Sequence, residues 1–557
     1  MSKLFYCFCL LLYFLGGEQS WGQENNIESK IDSINMVQAK PLKKEKPVGY
    51  AYVIKISSQE QFDGINDAIT NAIAAGMNNI QVRIAEGVYY FHENHILRKN
   101  EKAADVSITI SGKRAVITSD AHYLNSRLVK NPWGEITPMD SIIEVLDKDQ
   151  KTCRIPYNNK LSNEEKARFT KVQITQWFRA PVYNVTKIDE RGIYFIAPGL
   201  FWDTNYANKG YNVNYDYLFW GKIPRFRLYN KTKESGSVAS MFVNLDNCSY
   251  RLFAIKGIEF ISNNSSGALI GFNNISSLQI MIKSCTFNYI RGYVVNASGT
   301  GNIVFDNNTV RNTFGNELRF VNNCHNVRVT KNLFEDCGQS IGNTFCITCW
   351  ESSYFIANNT FKNFGYGAIG VGVWHGFEKK YYSGGIIEYN EIYFTPIYFA
   401  EAWKHMLMDS GAIYTWTQND NVIIRYNYIH DYTGPGDNRG IFCDDGANNL
   451  MIYGNVVLNT PNSYSIDSRM VKDKTKDSMN NANNYMAQNI VGNGVRFQGQ
   501  AGARRHVVKG SNYVVTQENE KSLESDYLNL ESQEEDLIIS NIDDKLIRMQ
   551  IKKCKHK

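Results

Sequence analysis

The stretch "GIFCDDGANNLMIYGNVV", residues 440–457, sets two carboxylates side by side at the end of an apolar run. Neighbouring residues of a strand point to opposite faces, so Asp444 and Asp445 cannot both project outward from a regular strand. An unpaired carboxylate turned toward a core is costly. The pair marks either a turn, for which Asp-Asp-Gly is also suited, or a place where carboxyl groups do chemistry. Upstream, Asp409 opens "DSGAIYTW", in which Tyr414 and Trp416 occupy alternate positions. Two carboxyls can divide acid and base work, one protonated and one ionised. Aromatic faces beside them suit a flat ligand. His430 and Asp431 of "YIHD", Trp374 and His375 of "GVWHG", and Glu351 of "CWES" are further polar or aromatic candidates.

Such residues need a scaffold, and the scaffold is visible as a repeat. From residue 256 a phrase recurs as "KSCTF", "DNNTV", "TKNLF", "ANNTF", "YNEI", "YNYI" and "YGNVV". Its last apolar residues are Phe260, Phe287, Val310, Phe334, Phe361, Ile392, Ile429, Val457 and Val491, at intervals of 23–37 residues. Solenoid turns repeat at roughly 20–50 residues. Each phrase reads as a short strand with Asn or a small residue at a corner. Asn tolerates the left-handed backbone of a sharp bend, and its amide can pair with the amide stacked above it.

A second column lies between the phrases. Aligned on first residues, Leu269, Val294, Leu318, Cys346, Ile369, Ile413 and Ile441 face inward, followed by Gly271, Asn296, Phe320, Thr348, Val371, Thr415 and Cys443. Two strand columns per turn predict an all-β, right-handed parallel β-helix, a pectate-lyase-like solenoid. Helical repeats fit poorly, because Val, Ile, Phe and Thr recur with period two.

The ends and interruptions complete the layout. Residues 1–22 read as a signal peptide, with Lys3, an apolar run over 4–15 and small residues near Gly22. Cleavage there predicts a secreted or periplasmic protein with no stable membrane insertion. Residues 23–49 form a polar lead-in; 50–120 hold a capping helix and the first coils; 121–245 break the period as an inserted β-rich, sandwich-like domain. The β-helix resumes over 246–500, and 501–557 form a C-terminal cap or tail. A formal net charge of +5 with scattered Lys and Arg gives no reason to expect nucleic acid. Of 11 cysteines, Cys7 and Cys9 fall in the leader, and the odd remainder argues against a complete disulfide framework. Cys346 and Cys349 have a redox or metal spacing but stand alone in a strand pattern. Neither metal nor cofactor is expected.

The succession "DSGAIYTW…NVIIRYNYIHDYTG…RGIFCDDGANNLMIYGNVV", 409–457, resembles the exported β-helical carbohydrate enzymes of bacterial glycan-degrading systems. It is most similar to the glycoside hydrolase families that contain α-L-fucosidase/xylanase and β-xylosidase. The resemblance covers 50–460 in layout and 365–457 in motif wording. It implies hydrolysis of a glycosidic bond in a polysaccharide or oligosaccharide, with Asp409 and Asp444 or Asp445 as catalytic acids and His430 and Asp431 in support. Two features depart from the family pattern. The insert ends in "PRFRLYN" without a Gly-Glu-Trp-type stretch, and the region after 467 is short and polar.

In the aligned columns Phe442 and Asp444 point outward, Tyr414 and Trp416 hold those places one coil earlier, and Gly370 and Gly372 one coil before that. This surface reads as a sugar subsite with a glycine floor, an aromatic wall and a carboxylate. Asp445 then falls at an inward or corner position. A polysaccharide lyase on the same scaffold and a non-catalytic glycan-binding solenoid are the alternatives; irregular coil lengths over 361–429 favour a built site.

Overall fold

The computed structural model describes all residues except 1–49, 92–93, 120–135, 141–143, 148–149, 157–168, 175–181, 198–224, 231–240, 263–266, 339–343, 374–382, 396–409, 418, 420, 433–438, 445, 461–464, 469–483, 493–494, 498–507, 510–512, 516–536, 540–548, 550 and 555–557. The expected leader and lead-in, together with Trp374, His375, Asp409 and Asp445, therefore lie outside the described residues.

The remainder is a parallel β-helix with three ladders, not two. Ladder I runs through Gln279–Lys283, Ile303–Asp306, Val327–Thr330, Ser353–Ala357, Gly384–Glu388, Val422–Arg425, Leu450–Tyr453 and Tyr485–Ala487. Ladder II includes Thr286–Asn288, Thr309–Arg311, Leu333–Cys337, Thr360–Phe364, Glu391–Tyr393, Tyr428–His430, Val456–Leu458 and Ile490–Val491. Ladder III forms a separate sheet and carries Ala268–Asn273, Tyr293–Ser298, Leu318–Val321, Phe345–Trp350, Gly367–Gly372, Gly411–Trp416, Arg439–Asp444 and Ile466–Ser468. The connections are right-handed, as parallel crossovers are. Each recurring asparagine phrase spans the bend from ladder I to ladder II, which is why it reads as one element.

That bend has constant length. Two residues separate ladders I and II in each of these eight coils. The first is left-handed, at φ 54–64° through Ser284, Asn307, Lys331, Asn358, Tyr389, Tyr426, Gly454 and Gln488. The second is Cys285 and then Asn308, Asn332, Asn359, Asn390, Asn427, Asn455 and Asn489. The two duties expected of one asparagine are thus divided between neighbours. Each buried ladder amide from Asn308 to Asn455 donates to the Oδ1 of the next, at 2.9–3.2 Å, and to a carbonyl of the preceding coil. The stack satisfies backbone and side-chain groups that would otherwise be orphaned in a dry interior.

The nine apolar residues read from the phrases all pair in register down ladder II. Their rings stack: Phe260–Phe287 at 5.2 Å and Phe334–Phe361 at 4.8 Å, each within 7° of parallel. In ladder III the inward column is Ile270, Val295, Leu318, Ile347, Ile369, Ile413, Ile441 and Ile466. The alignment on Leu269, Val294 and Cys346 was one residue early. Those strands begin with two successive core residues, Leu269–Ile270, Val294–Val295 and Cys346–Ile347, so period two fails at the corner. Asn296 and Thr348 consequently face outward.

At the N-terminal end the expected helix is broken at Gly64 into α1 (Gln59–Asp63) and α2 (Ile65–Ala74). The Ser58 hydroxyl caps α1 by accepting from the Gln61 N–H. Phe62, Ile65, Ile69 and Ala72 join the solenoid core and cover its first coil. Residues 136–230 contribute a seven-stranded antiparallel sheet in which Val182–Asp189 pairs with one neighbour through its first half and another through its second. The nine cysteines from Cys153 onward are buried free thiols.

Candidate functional site

The outer face of ladder III holds the acidic and aromatic residues. Strand register places Tyr414 against Phe442, and Trp416 against Asp444. Ile413 and Ile441, alternating with them, are fully buried in the solenoid. Asp444 is partly exposed, and the Tyr414 hydroxyl donates to its Oδ2 at 2.6 Å. The Asp444 carbonyl accepts from the Thr417 and Ala447 N–H groups, tying the strand end on both sides. Its side chain is therefore held in place at a surface.

Below it is a buried layer absent from the sequence reading. Val321, Phe345, Trp350, Tyr366, Tyr414 and Phe442 form an apolar cluster on the outside of the sheet, with Trp416 packed against it. Phe345 lies over Gly367 and Gly370, where a Cβ would come within 2.5 and 2.9 Å of its ring. A Cβ on Gly372 would strike the Trp416 carbonyl at 2.1 Å. These glycines admit an aromatic ring and a close backbone, so the expected open floor for a sugar is corrected to a packed one. Phe442 is 0 % exposed, and as a stacking contact for substrate it is corrected to a residue of that layer. The Trp416 indole, meeting Trp350 edge-on at 6.3 Å, remains partly exposed beside Asp444.

Phe442 also rests on an ion pair. The Arg439 guanidinium lies 4.0 Å over its ring and donates through Nε to Asp467 Oδ2 at 2.6 Å, with both charged side chains 0 % exposed. Asp467 is aligned with Phe442 one coil on and shares the outer face. It stands diagonal to Asp444, a relation in which Cα atoms of neighbouring strands are about 7–8 Å apart. The signal for it was present: "SID" in "YSIDSRM" repeats the Ile-outward pattern of "GIF". Burial, reinforced by Asp467 and Asp444, pushes the Cys443 thiol beneath them up to about 12.

The other candidates lie elsewhere. His430 ends its ladder II strand and Asp431 follows it at the corner; His430 Nδ1 and Asp431 Oδ2 are 2.7 Å apart, and the imidazole stacks on Tyr393 and Tyr428. Glu351 is a buried left-handed corner residue whose N–H donates to the Gly372 carbonyl at 2.8 Å. Inside the solenoid, Glu317 is fully buried and burial pushes its carboxyl up to about 8; Gly338 N–H and the Thr313 hydroxyl donate to its Oε1. Among the described residues no three His, Cys, Asp or Glu side chains converge as metal ligands, and no helix is long and apolar enough to cross a membrane.

No protein-family model matches the sequence, and no curated protein matches it significantly. Among solved structures the chain is similar to one titled a glycoside hydrolase, at 10% identity and a TM-score of 0.50, over 86% of this chain and 100% of that one. The fold is the pectate-lyase-like parallel β-helix. The A-module of the Azotobacter vinelandii mannuronan C-5 epimerase matches over 82% of this chain and 92% of its own, at 10% identity and a TM-score of 0.39. The pectate lyase Pel9A matches over 84% and 76%, at 9% identity and a TM-score of 0.28.

Proposed function

We propose that the protein is an exported glycoside hydrolase that cleaves a glycosidic bond in a complex polysaccharide at Asp444. The observation that carries this reading is the juxtaposition of a partly exposed carboxylate, oriented by the Tyr414 hydroxyl, with a partly exposed indole one strand away. An indole face binds a pyranose ring, and a fixed carboxylate beside it acts on the anomeric carbon or on the attacking water. Hydrolysis needs a second carboxyl as acid. Asp409, preceding the buried Ser410, is assigned that part, and Asp445 is the alternative to Asp444. The solved glycoside hydrolase of like fold supports the class, and the motif wording of 409–457 favours fucoside or xyloside substrates.

A lyase would draw on an uncommitted base at this face. Arg439, on the same strand as Asp444, is enclosed in its ion pair with Asp467, which favours hydrolysis. The test is a screen of the full chain against chromogenic fucosides, xylosides and galactosides, with the Asp444→Asn variant as control. Release of reducing ends that the variant lacks supports the proposal; unsaturated products, or equal activity in the variant, refute it. Export is checked by mass spectrometry of the secreted or periplasmic fraction, where a new N-terminus near Gln23 is expected.

A further inference from the structure

We propose that Arg319 anchors a second subsite on ladder III that takes the carboxylate or sulfate group of an acidic polysaccharide. This rests on the glycan-cleaving reading above and names its substrate class. Arg319 belongs to the outward row that continues through Thr348, Gly370 and Tyr414 to Phe442, each pair in register. Its own neighbours, Leu318 and Phe320, are buried in the solenoid core, so its side chain is directed to the same outer face as Asp444. Four strands at about 4.8 Å each put it roughly 19 Å along the axis from the candidate catalytic carboxylate, a span of several sugar rings.

Among the described residues, the groups that meet the guanidinium are neutral. Nη1 donates to Asn296 Oδ1 at 3.1 Å, and the group lies 5.9 Å from the centroid of the Tyr293 ring. No carboxylate among the described residues pairs with it, whereas Arg98, Arg425 and Arg439 are each bound to Glu101, Glu388 and Asp467. Arg319 is only partly exposed, so its charge is held in a fixed pose rather than on a free stem. A planar fork of N–H donors, pre-set by an amide and an aromatic ring, matches a carboxylate or sulfate in two-point fashion. A neutral sugar needs no such group. The Tyr293 ring beside the guanidinium supplies an apolar edge for the sugar that bears the anion.

The experiment uses the full chain carrying Asp444→Asn, so that glycans bind without turnover. Affinity is measured by calorimetry for polygalacturonate, alginate, a chondroitin sulfate and neutral xylan, at low and high salt. Expected is salt-sensitive binding to an acidic glycan, weakened at least 10-fold by Arg319→Gln and partly kept by Arg319→Lys, which holds the charge but lacks the fork. The uronate and sulfate arms show which anion the site takes. Asn296→Asp supplies an internal carboxylate in place of the neutral partner; it must weaken acidic binding likewise, and it serves if Arg319→Gln fails to fold. Acidic binding unchanged in both variants overturns the subsite. Binding of neutral xylan alone also overturns it while leaving the hydrolase reading intact, and the absence of binding to every glycan sinks both.

Discussion

Replacing Asn390 by Leu, which is close in size but cannot hydrogen-bond, tests whether the asparagine stack holds the coils together. The Asn390 side chain is fully buried and takes part in four hydrogen bonds. It donates to the Ile356 carbonyl and to Asn427 Oδ1, and accepts from the N–H and the Nδ2 of Asn359. After substitution the Asn427 oxygen still accepts from the residue 390 N–H, but two Asn359 donors lose their acceptor inside a dry wall. Each orphaned donor costs about 1–3 kcal/mol, so a loss of roughly 2–6 kcal/mol is expected. Asn308→Leu is the internal standard. Its Oδ1 accepts from the Cys285 N–H alone on the preceding coil, because Cys285 has no amide to stack, so about half the penalty is expected there. The assay is the urea midpoint of each variant, converted with the parent slope. An Asn390→Leu protein within about 0.5 kcal/mol of the parent, the range of an ordinary surface change, would refute the reasoning, as would a larger loss at Asn308.

Further outcomes concern single side chains. Asp444→Asn is expected to lower turnover by about 10²–10⁴-fold with the fold intact, while Asp445→Asn should lower the melting temperature more than the rate; the opposite split in steady-state kinetics and thermal melts would move the chemistry one residue along. Glu317 has a folded pKa raised to about 8 from the 4.5 of an unperturbed carboxyl, so its proton stabilises the native state fully below pH 4.5 and is lost as pH rises toward 8. Glu317→Gln should therefore flatten the fall in melting temperature across that window, leaving the variant the more stable at pH 8; parallel curves would contradict it. Arg439→Met should cost about 3–5 kcal/mol by stranding Asp467, and the Arg439→Met, Asp467→Leu double variant should recover much of that loss, measured by chemical unfolding; a double variant no better than the single would show that the pair is not coupled.

The solenoid was legible because burial on ladder II imposes one apolar residue per coil at a fixed distance from an asparagine. The third ladder was hidden because a two-residue bend leaves no gap between apolar phrases. Register on ladder III was lost where two successive residues larger than alanine enter the core, as at Cys346 and Ile347. Trp416 and Asp444 were correctly set side by side, since both follow a single inward Ile. Phe345 could not be placed: its position over Gly370 depends on which glycines a ring can cover, and alternation carries no such information. Nor could the Arg439–Asp467 pair, whose members come from different strands and meet only after stacking.

The bend between ladders I and II keeps to two residues in all eight coils from Gln279 to Val491, while both connections flanking ladder III vary in length. Residues 373–383, 394–410, 431–438 and 469–484 all join ladder III to its neighbours, in the coils that bear Trp416, Asp444 and Asp467. The molecule thus keeps its variation in length away from the stacked bend. An insertion in a ladder III connection leaves every stacked amide where it was, whereas one added residue in the short bend would cut the stack. Length can thus change beside ladder III while the interior of the solenoid keeps its register.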